Sequence, residues 1–271
     1  MNMRPPAAAG MFYPARAEAL LAELSSAFRG LKREPMPVIG AVVPHAGYIY
    51  SGYVAAEVYA RLPERETYVL IGPNHTGLGL PVAVSRETWR TPLGSVPVDL
   101  ELADALEGTI VASDEMAHME EHSIEVQLPF LQRCFSGFRI LPICMGMQDQ
   151  ETAIEVGEAV ANAILKLGRS CTVIASSDLT HYLRYETARQ LDTSILESVI
   201  RMDIDDLYSK IEMLDSRYYG HGVCGYGPMA ATIAASRRLG ASMGKLLRYA
   251  TSGDVSGDRG QVVGYGAVIF T

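Results

Sequence analysis

Apolar and polar positions follow two rhythms along the 271-residue chain. Four runs, at 38–43, 67–71, 139–145 and 171–176, are dominated by apolar, mostly β-branched residues. Runs of that length without a polar face predict strands buried on both sides, as in a parallel sheet. Between them the period is helical. Over 17–29, Leu20, Leu21, Leu24 and Phe28 fall on one face and Gly30 ends the segment. Similar spacing predicts helices over 54–62, 99–106, 123–134, 151–167, 184–201 and 203–213, and from the glycine turn at 220–225 to Leu239. Pro129 fits only near the first turns of its helix or as a kink. A short strand over 82–84, a turn-rich hairpin or loop over 89–98, and two closing strands at 246–251 and 262–270 complete the pattern. Residues 1–15 read as an irregular arm. Strands alternate with helices throughout, without linker or internal repeat. This predicts a single three-layer α/β domain spanning 1–271, with a mainly parallel sheet.

The places where the buried strands stop carry the candidate chemistry. The first run ends at Pro44, His45 follows, and a helix is expected near Ser51, with that serine as its N-cap. The second ends at Gly72-Pro73-Asn74-His75, a repeat of the strand, proline and histidine order. The strand at 171–176 runs into Ser177-Asp178-Leu179-Thr180-His181-Tyr182. Ligands bind at the carboxyl ends of strands in open α/β sheets. Cys224 lies in a glycine-rich turn before a helix, where the helix dipole is expected to lower a thiol's pKa. Two imidazoles and a thiolate form a three-ligand metal set with one position open. Each residue alone also reads as a hydrogen-bonded turn histidine or an inert buried thiol. The repeated turn shifts the balance toward a metal.

Asp178 and His181 are close enough in sequence for the carboxylate to orient the imidazole for acid–base work. Asp178 as a helix cap, with His181 on the surface, is the alternative. Residues 118–122 match H-x-x-E-H, a zinc signature when helical. The helix is expected to begin at Ser123, which leaves no shared face for both histidines. His122, beside Glu121 and Glu125, remains a candidate acid or base, while Glu120 reads as a solvated helix start.

Composition narrows the class. The net charge of −8 and pI near 5.3 argue against non-specific nucleic-acid binding. The first ten residues lack the apolar core of a signal peptide, and no run reaches membrane-spanning length. Four cysteines without a CxxC pair are expected to be thiols, most of them buried, in a cytoplasmic protein.

Several segments, in order, give the chain a specific resemblance. They are AGMFYPA at 9–15, PHAGYIYSG, GPNHTG, EHSIEVQLPFL, SSDLTHY, VCGYGP and the closing GYGA. Together they resemble the Memo family, the B component of the AmmeMemoRadiSam set, which is distantly similar to class III extradiol dioxygenases. The resemblance implies a central mixed sheet with helices on both faces. It implies metal ligation by His45, His75 and Cys224, with His122, Asp178 and His181 lining the same pocket. In the ring-cleaving enzymes a carboxylate stands where Cys224 would be. A divalent metal is therefore expected, with iron favoured and copper or zinc as alternatives. The expected activity is that of a metal-dependent oxidoreductase on a small molecule. A metal-dependent hydrolase and a non-enzymatic ligand- or peptide-binding module are the alternatives. The resemblance also implies radical-SAM and AMMECR-type proteins as partners.

Overall fold

The computed structural model describes residues 3–271. In chain order the elements are β1 (Met3–Arg4), α1 (Ala17–Ala27), β2 (Gly40–Val43), α2 (Tyr48–Tyr59), β3 (Thr67–Pro73), β4 (Val82–Val84), β5 (Thr88–Thr91) and β6 (Gly94–Val96). Then come α3 (Leu100–Asp104), β7 (Ala112–Ser113), a 3-10 turn (Glu125–Gln127), α4 (Leu128–Cys134), β8 (Arg139–Met145), α5 (Gln150–Leu167), β9 (Cys171–Ser176) and β10 (His181–Leu183). The remainder is α6 (Tyr185–Ile200), α7 (Ile204–Arg217), α8 (Tyr226–Arg238), β11 (Gly244–Thr251), α9 (Gly253–Ser256) and β12 (Val262–Phe270).

The main sheet has the order β10-β12-β2-β9-β3-β8-β4-β7, with β11 paired to β12. Its centre, β2, β9, β3 and β8, is parallel. Antiparallel β12 and β4 flank that centre, so the sheet is mixed. Alternation along each strand sends side chains to two separate cores. Ala41 and Val43 pack with Leu20, Val54, Val58 and Phe130 of α1, α2 and α4. Val42 packs with Val156, Val160, Leu207, Met229 and Ile233 of α5, α7 and α8. Both sheet faces are therefore covered, which is why these strands show no polar side. The architecture is one α/β domain with helices on either face.

Several element boundaries differ from the sequence expectation, and each difference has a local cause. α2 begins at Tyr48, a turn earlier than Ser51. Ser51 lies inside the helix and its hydroxyl donates back to the Ala46 carbonyl at 3.0 Å. On α1, Leu20 and Leu24 are buried while Leu21 faces solvent, which narrows the apolar face. Ser123 caps no helix: its hydroxyl donates to the Pro73 carbonyl at 3.0 Å, tying this segment to the end of β3. A regular helix starts only at Leu128, with Pro129 in its first turn, where a missing N–H costs nothing. The N-terminal arm is also more ordered than expected. β1 pairs in parallel with β5, and the Ala7 and Ala8 amides donate to Glu125 at 2.7 and 2.8 Å.

Candidate metal centre

Strand order assembles the site. Because β2, β9 and β3 are adjacent and parallel, the residues following them meet at one edge. His45 follows β2, Asp178 follows β9 and His75 follows β3. His122 arrives from the loop before the 3-10 turn. That loop is fixed by Ser123 on Pro73 and by the Ser176 hydroxyl, which donates to the Ser123 carbonyl at 2.6 Å. A Cβ at Gly72 would stand 2.5 Å from Ser123 Oγ, so glycine permits the approach. The His45 ring lies 5.2 Å from that of His75 and 5.3 Å from that of His122, and those two are 4.6 Å apart. One ring nitrogen from each falls within 4.8 Å of the others.

Hydrogen bonding sets which nitrogens are free. His45 Nδ1 is 3.0 Å from Ser176 Oγ, whose one proton is already given to Ser123. His45 Nδ1–H is therefore the donor, and Nε2 keeps its lone pair. That Nε2 faces Cys224 Sγ at 3.2 Å. His75 Nδ1 is 3.0 Å from Glu121 Oε1, and a carboxylate only accepts, so Nδ1–H donates and Nε2 is the nitrogen left without this partner. Burial, helped by the neighbouring His122, His75 and His181, pushes the His45 pKa well down. Burial takes His122 to about 4, with Glu121 opposing and His75 reinforcing the shift. Both are neutral at neutral pH, the form that binds metal. His75 has 34% of its side chain exposed, so the cluster is open on one side.

Cys224 departs from the dipole expectation. Burial raises its pKa strongly and the nearby Asp178 adds to the effect, while the Asp178 amide, donating to sulfur at 3.2 Å, offsets only part. The residue precedes α8 but is packed inward, so desolvation outweighs the dipole. A cation against the sulfur is what would favour the thiolate here. Among the four thiols, Cys144 and Cys171 are buried and Cys134 and Cys224 are partly buried.

Asp178 caps no helix. Its Oδ1 accepts the His45 amide at 2.8 Å and so clamps the turn that carries this histidine. Burial raises its pKa to about 6, against the lowering effects of His181 and of the His45 and Ala46 amides. His181 Nδ1 donates to the Gly222 carbonyl at 3.0 Å rather than to Asp178. The His181 amide donates to the His221 carbonyl at 3.1 Å, and His221 Nδ1 donates to the His181 carbonyl at 2.8 Å. These bonds fasten β10 to the turn bearing Cys224. His118 points away from the cluster, with Nε2 on the Ala83 carbonyl at 3.1 Å and its ring against Trp89.

The supporting residues were the ones hidden in the sequence. Ser176 is a strand residue, and Gln127 Nε2 donates to its hydroxyl at 2.8 Å. Phe12 stacks on His122 with ring centroids 4.1 Å apart. Arg4 pairs with buried Glu125 at 2.6 Å and donates to the His118 and Glu121 carbonyls, both at 2.7 Å. An apolar strand end or a lone arginine in an arm gives no periodic signal. Only the acidic run at 120–125 hinted at them.

Fold and site together define an α/β protein with a cluster of metal-competent imidazoles at the carboxyl edge of a mixed sheet. The model of the family described as Memo-like protein matches residues 4–269. A MEMO1 family protein of Methanosarcina mazei is 56% identical over 270 residues, covering 99% of each chain. Those of Archaeoglobus fulgidus and Methanocaldococcus jannaschii are 50% and 44% identical, again over 99% of each chain. The chain belongs to the Memo-like family. Among solved structures, an uncharacterized protein of Escherichia coli K12 superposes with a TM-score of 0.58 at 13% identity, over 86% of this chain and 99% of that one. At that identity the likeness is one of fold. Among the described residues, no helix is long and apolar enough to cross a membrane.

Proposed function

We propose that the chain is a metal-dependent oxidoreductase, with iron the favoured metal, acting on a small molecule. The observation that carries this reading is the convergence of His45, His75 and His122, with Cys224 Sγ 3.2 Å from His45 Nε2. The donor set fits a metal: His45 and His75 have Nδ1 engaged and Nε2 free, His122 is neutral, and a thiol stands beside them. Nitrogen and sulfur donors suit iron, copper(I) and zinc. The bound metal would supply a Lewis-acidic, redox-capable position at the open side of the cluster.

The chain's own groups then have separate tasks. His45, His75 and Cys224 would hold the metal, and His122 would contribute its ring nitrogen or a proton. Asp178 keeps the His45 turn in place through its amide. His181, with Nδ1 fixed on Gly222, has Nε2 available to take or return a proton. Phe12, stacked on His122, walls one side against water. Radical-SAM and AMMECR-type proteins are the partners this reading favours.

Anaerobic reconstitution with ferrous iron, followed by oxygen-uptake assays with catechol-type substrates, tests the proposal. Iron binding that depends on His45 and Cys224, with oxygen consumed only when substrate is present, is expected. Turnover with zinc in the absence of oxygen would replace this reading with the hydrolase one. Failure to bind iron would remove it.

A further inference from the structure

Glu121 stands at the centre of the cluster's hydrogen bonding although it touches no open space. It is 1% exposed. Its Oε1 lies 3.0 Å from His75 Nδ1 and 3.3 Å from His122 Nδ1. The same oxygen accepts the His122 and Ser123 amides at 2.9 and 2.8 Å, and Oε2 accepts the His75 amide at 2.5 Å. Its own carbonyl is held by Arg4 at 2.7 Å. The carboxylate is thereby fixed from both ends. Burial alone would raise its pKa, but the hydrogen bond and charge of His75, the charge of His122 and the Ser123 amide bring it to about 2.

From this geometry we infer that Glu121 is the positioning residue of the metal centre, one carboxylate oxygen setting the tautomer of His75 through a hydrogen bond and the orientation of His122 through its amide and a 3.3 Å contact with Nδ1. The inference rests on the metal-site reading above. The two rings are tilted by only 31° to each other, with both Nδ1 edges beside the same oxygen. The Nε2 edge of each is left for a shared ligand. Both rings stand near to perpendicular to that of His45, at 83° and 88°. A carboxylate only accepts, whereas an amide has one oxygen and two N–H groups. Because both Nδ1 atoms lie at Oε1, a glutamine oxygen placed there would still accept from them, whereas leucine leaves no acceptor. Carboxylates of this kind fix ligand tautomers, and losing one typically lowers metal affinity 10–100-fold. His122 is thus drawn toward ligation rather than free acid–base exchange.

The test uses the full chain with Co²⁺ as probe and long-range ¹⁵N NMR of the imidazoles in the metal-free protein. In the wild type, His75 is expected to carry its proton on Nδ1. Glu121→Leu, which removes the acceptor, is expected to shift His75 toward the Nε2–H form, to weaken Co²⁺ binding about 10–100-fold and to alter its ligand-field bands. Glu121→Asp, which keeps the charge but shortens the reach, should restore part of the affinity. An Nε2–H tautomer of His75 in the wild type would overturn the inference without recourse to any variant. So would unchanged tautomers, affinity and bands in Glu121→Leu while His75→Ala loses Co²⁺, and the metal-site reading would then survive. Wild-type Co²⁺ affinity in both His75→Ala and His122→Ala would remove that reading, and the inference with it.

Discussion

Cys224 Sγ and His45 Nε2 face each other at 3.2 Å although 179 positions separate them in the chain. One follows the first strand of the parallel centre and the other precedes α8, so the contact exists only when the sheet has closed. Cys224→Ala is expected to leave the fold intact, weaken Co²⁺ binding by at least about 10-fold and abolish sulfur-to-metal charge transfer. Absorption titration reads both effects. A charge-transfer band that persists in the variant would exclude the thiol as a ligand.

Gly72→Ala tests how the strand end positions His122. The added methyl would fall 2.5 Å from Ser123 Oγ and 2.9 Å from Ile124 Cγ1. Overpacking of this kind costs about 1–3 kcal/mol. The Ser123 bond to Pro73 should break and His122 should move away from its partners. Denaturant unfolding and Co²⁺ affinity are expected to fall together. Loss of stability with unchanged affinity would mean that His122 is not part of the site.

The arm clasp is predicted to be structural and functional at once. Arg4 and Glu125 are paired while 3% and 0% exposed. Removing one partner strands a buried charge, which costs about 3–5 kcal/mol. Glu125 also loses the Ala7, Ala8 and Tyr13 donors if truncated. Arg4→Ala and Glu125→Ala should each lower the urea midpoint. Each should also weaken metal binding, because Phe12 would leave the face of His122.

Two buried groups away from the metal cluster give the stability profile opposite slopes. Burial, aided by Arg4, lowers His118 from 6.5 to about 4. The unfolded chain then binds a proton that the native one refuses, and stability falls as pH drops from 6.5 toward 4. Burial raises Asp192 from 3.8 to about 7, against its bonds from Thr180 and Tyr249. Its contribution is full below 3.8 and is lost as pH rises through 7. Asp192→Asn keeps an acceptor for Thr180 and a group able to pair with Tyr249. It is expected to be more stable than wild type at pH 8, by about 1–4 kcal/mol at 1.4 kcal/mol per unit. Unfolding of metal-free protein across pH 4–8 measures both slopes, and a flat difference between the two proteins would exclude Asp192 as the source.

Much of the frame was legible because parallel strands buried on both faces leave unbroken apolar runs. Arg139–Met145 and Cys171–Ser176 stand as their patterns indicate, and so does the antiparallel closing strand Val262–Phe270. The histidines after 38–43 and 67–71 were visible because proline ended both runs. Less legible were features set by contacts distant in sequence. Ser51 and Ser123 look like N-caps but spend their hydroxyls on Ala46 and Pro73. Asp178 looks like a partner for His181, three residues on, but bonds to His45 across the strand order. Cys224 looks dipole-activated, yet its burial is a property of packing and not of position in the turn. Glu121 was visible only as a neighbour of His122, and only the fold reveals it beside two imidazoles.

The metal centre itself is tested most directly by elemental analysis of the chain purified without oxygen, alongside His45→Ala and His75→Ala. About one transition-metal ion per wild-type chain, with iron predominating, and its loss from both variants is the predicted result. Wild-type protein that takes up no metal, or variants that keep it in full, would contradict the account.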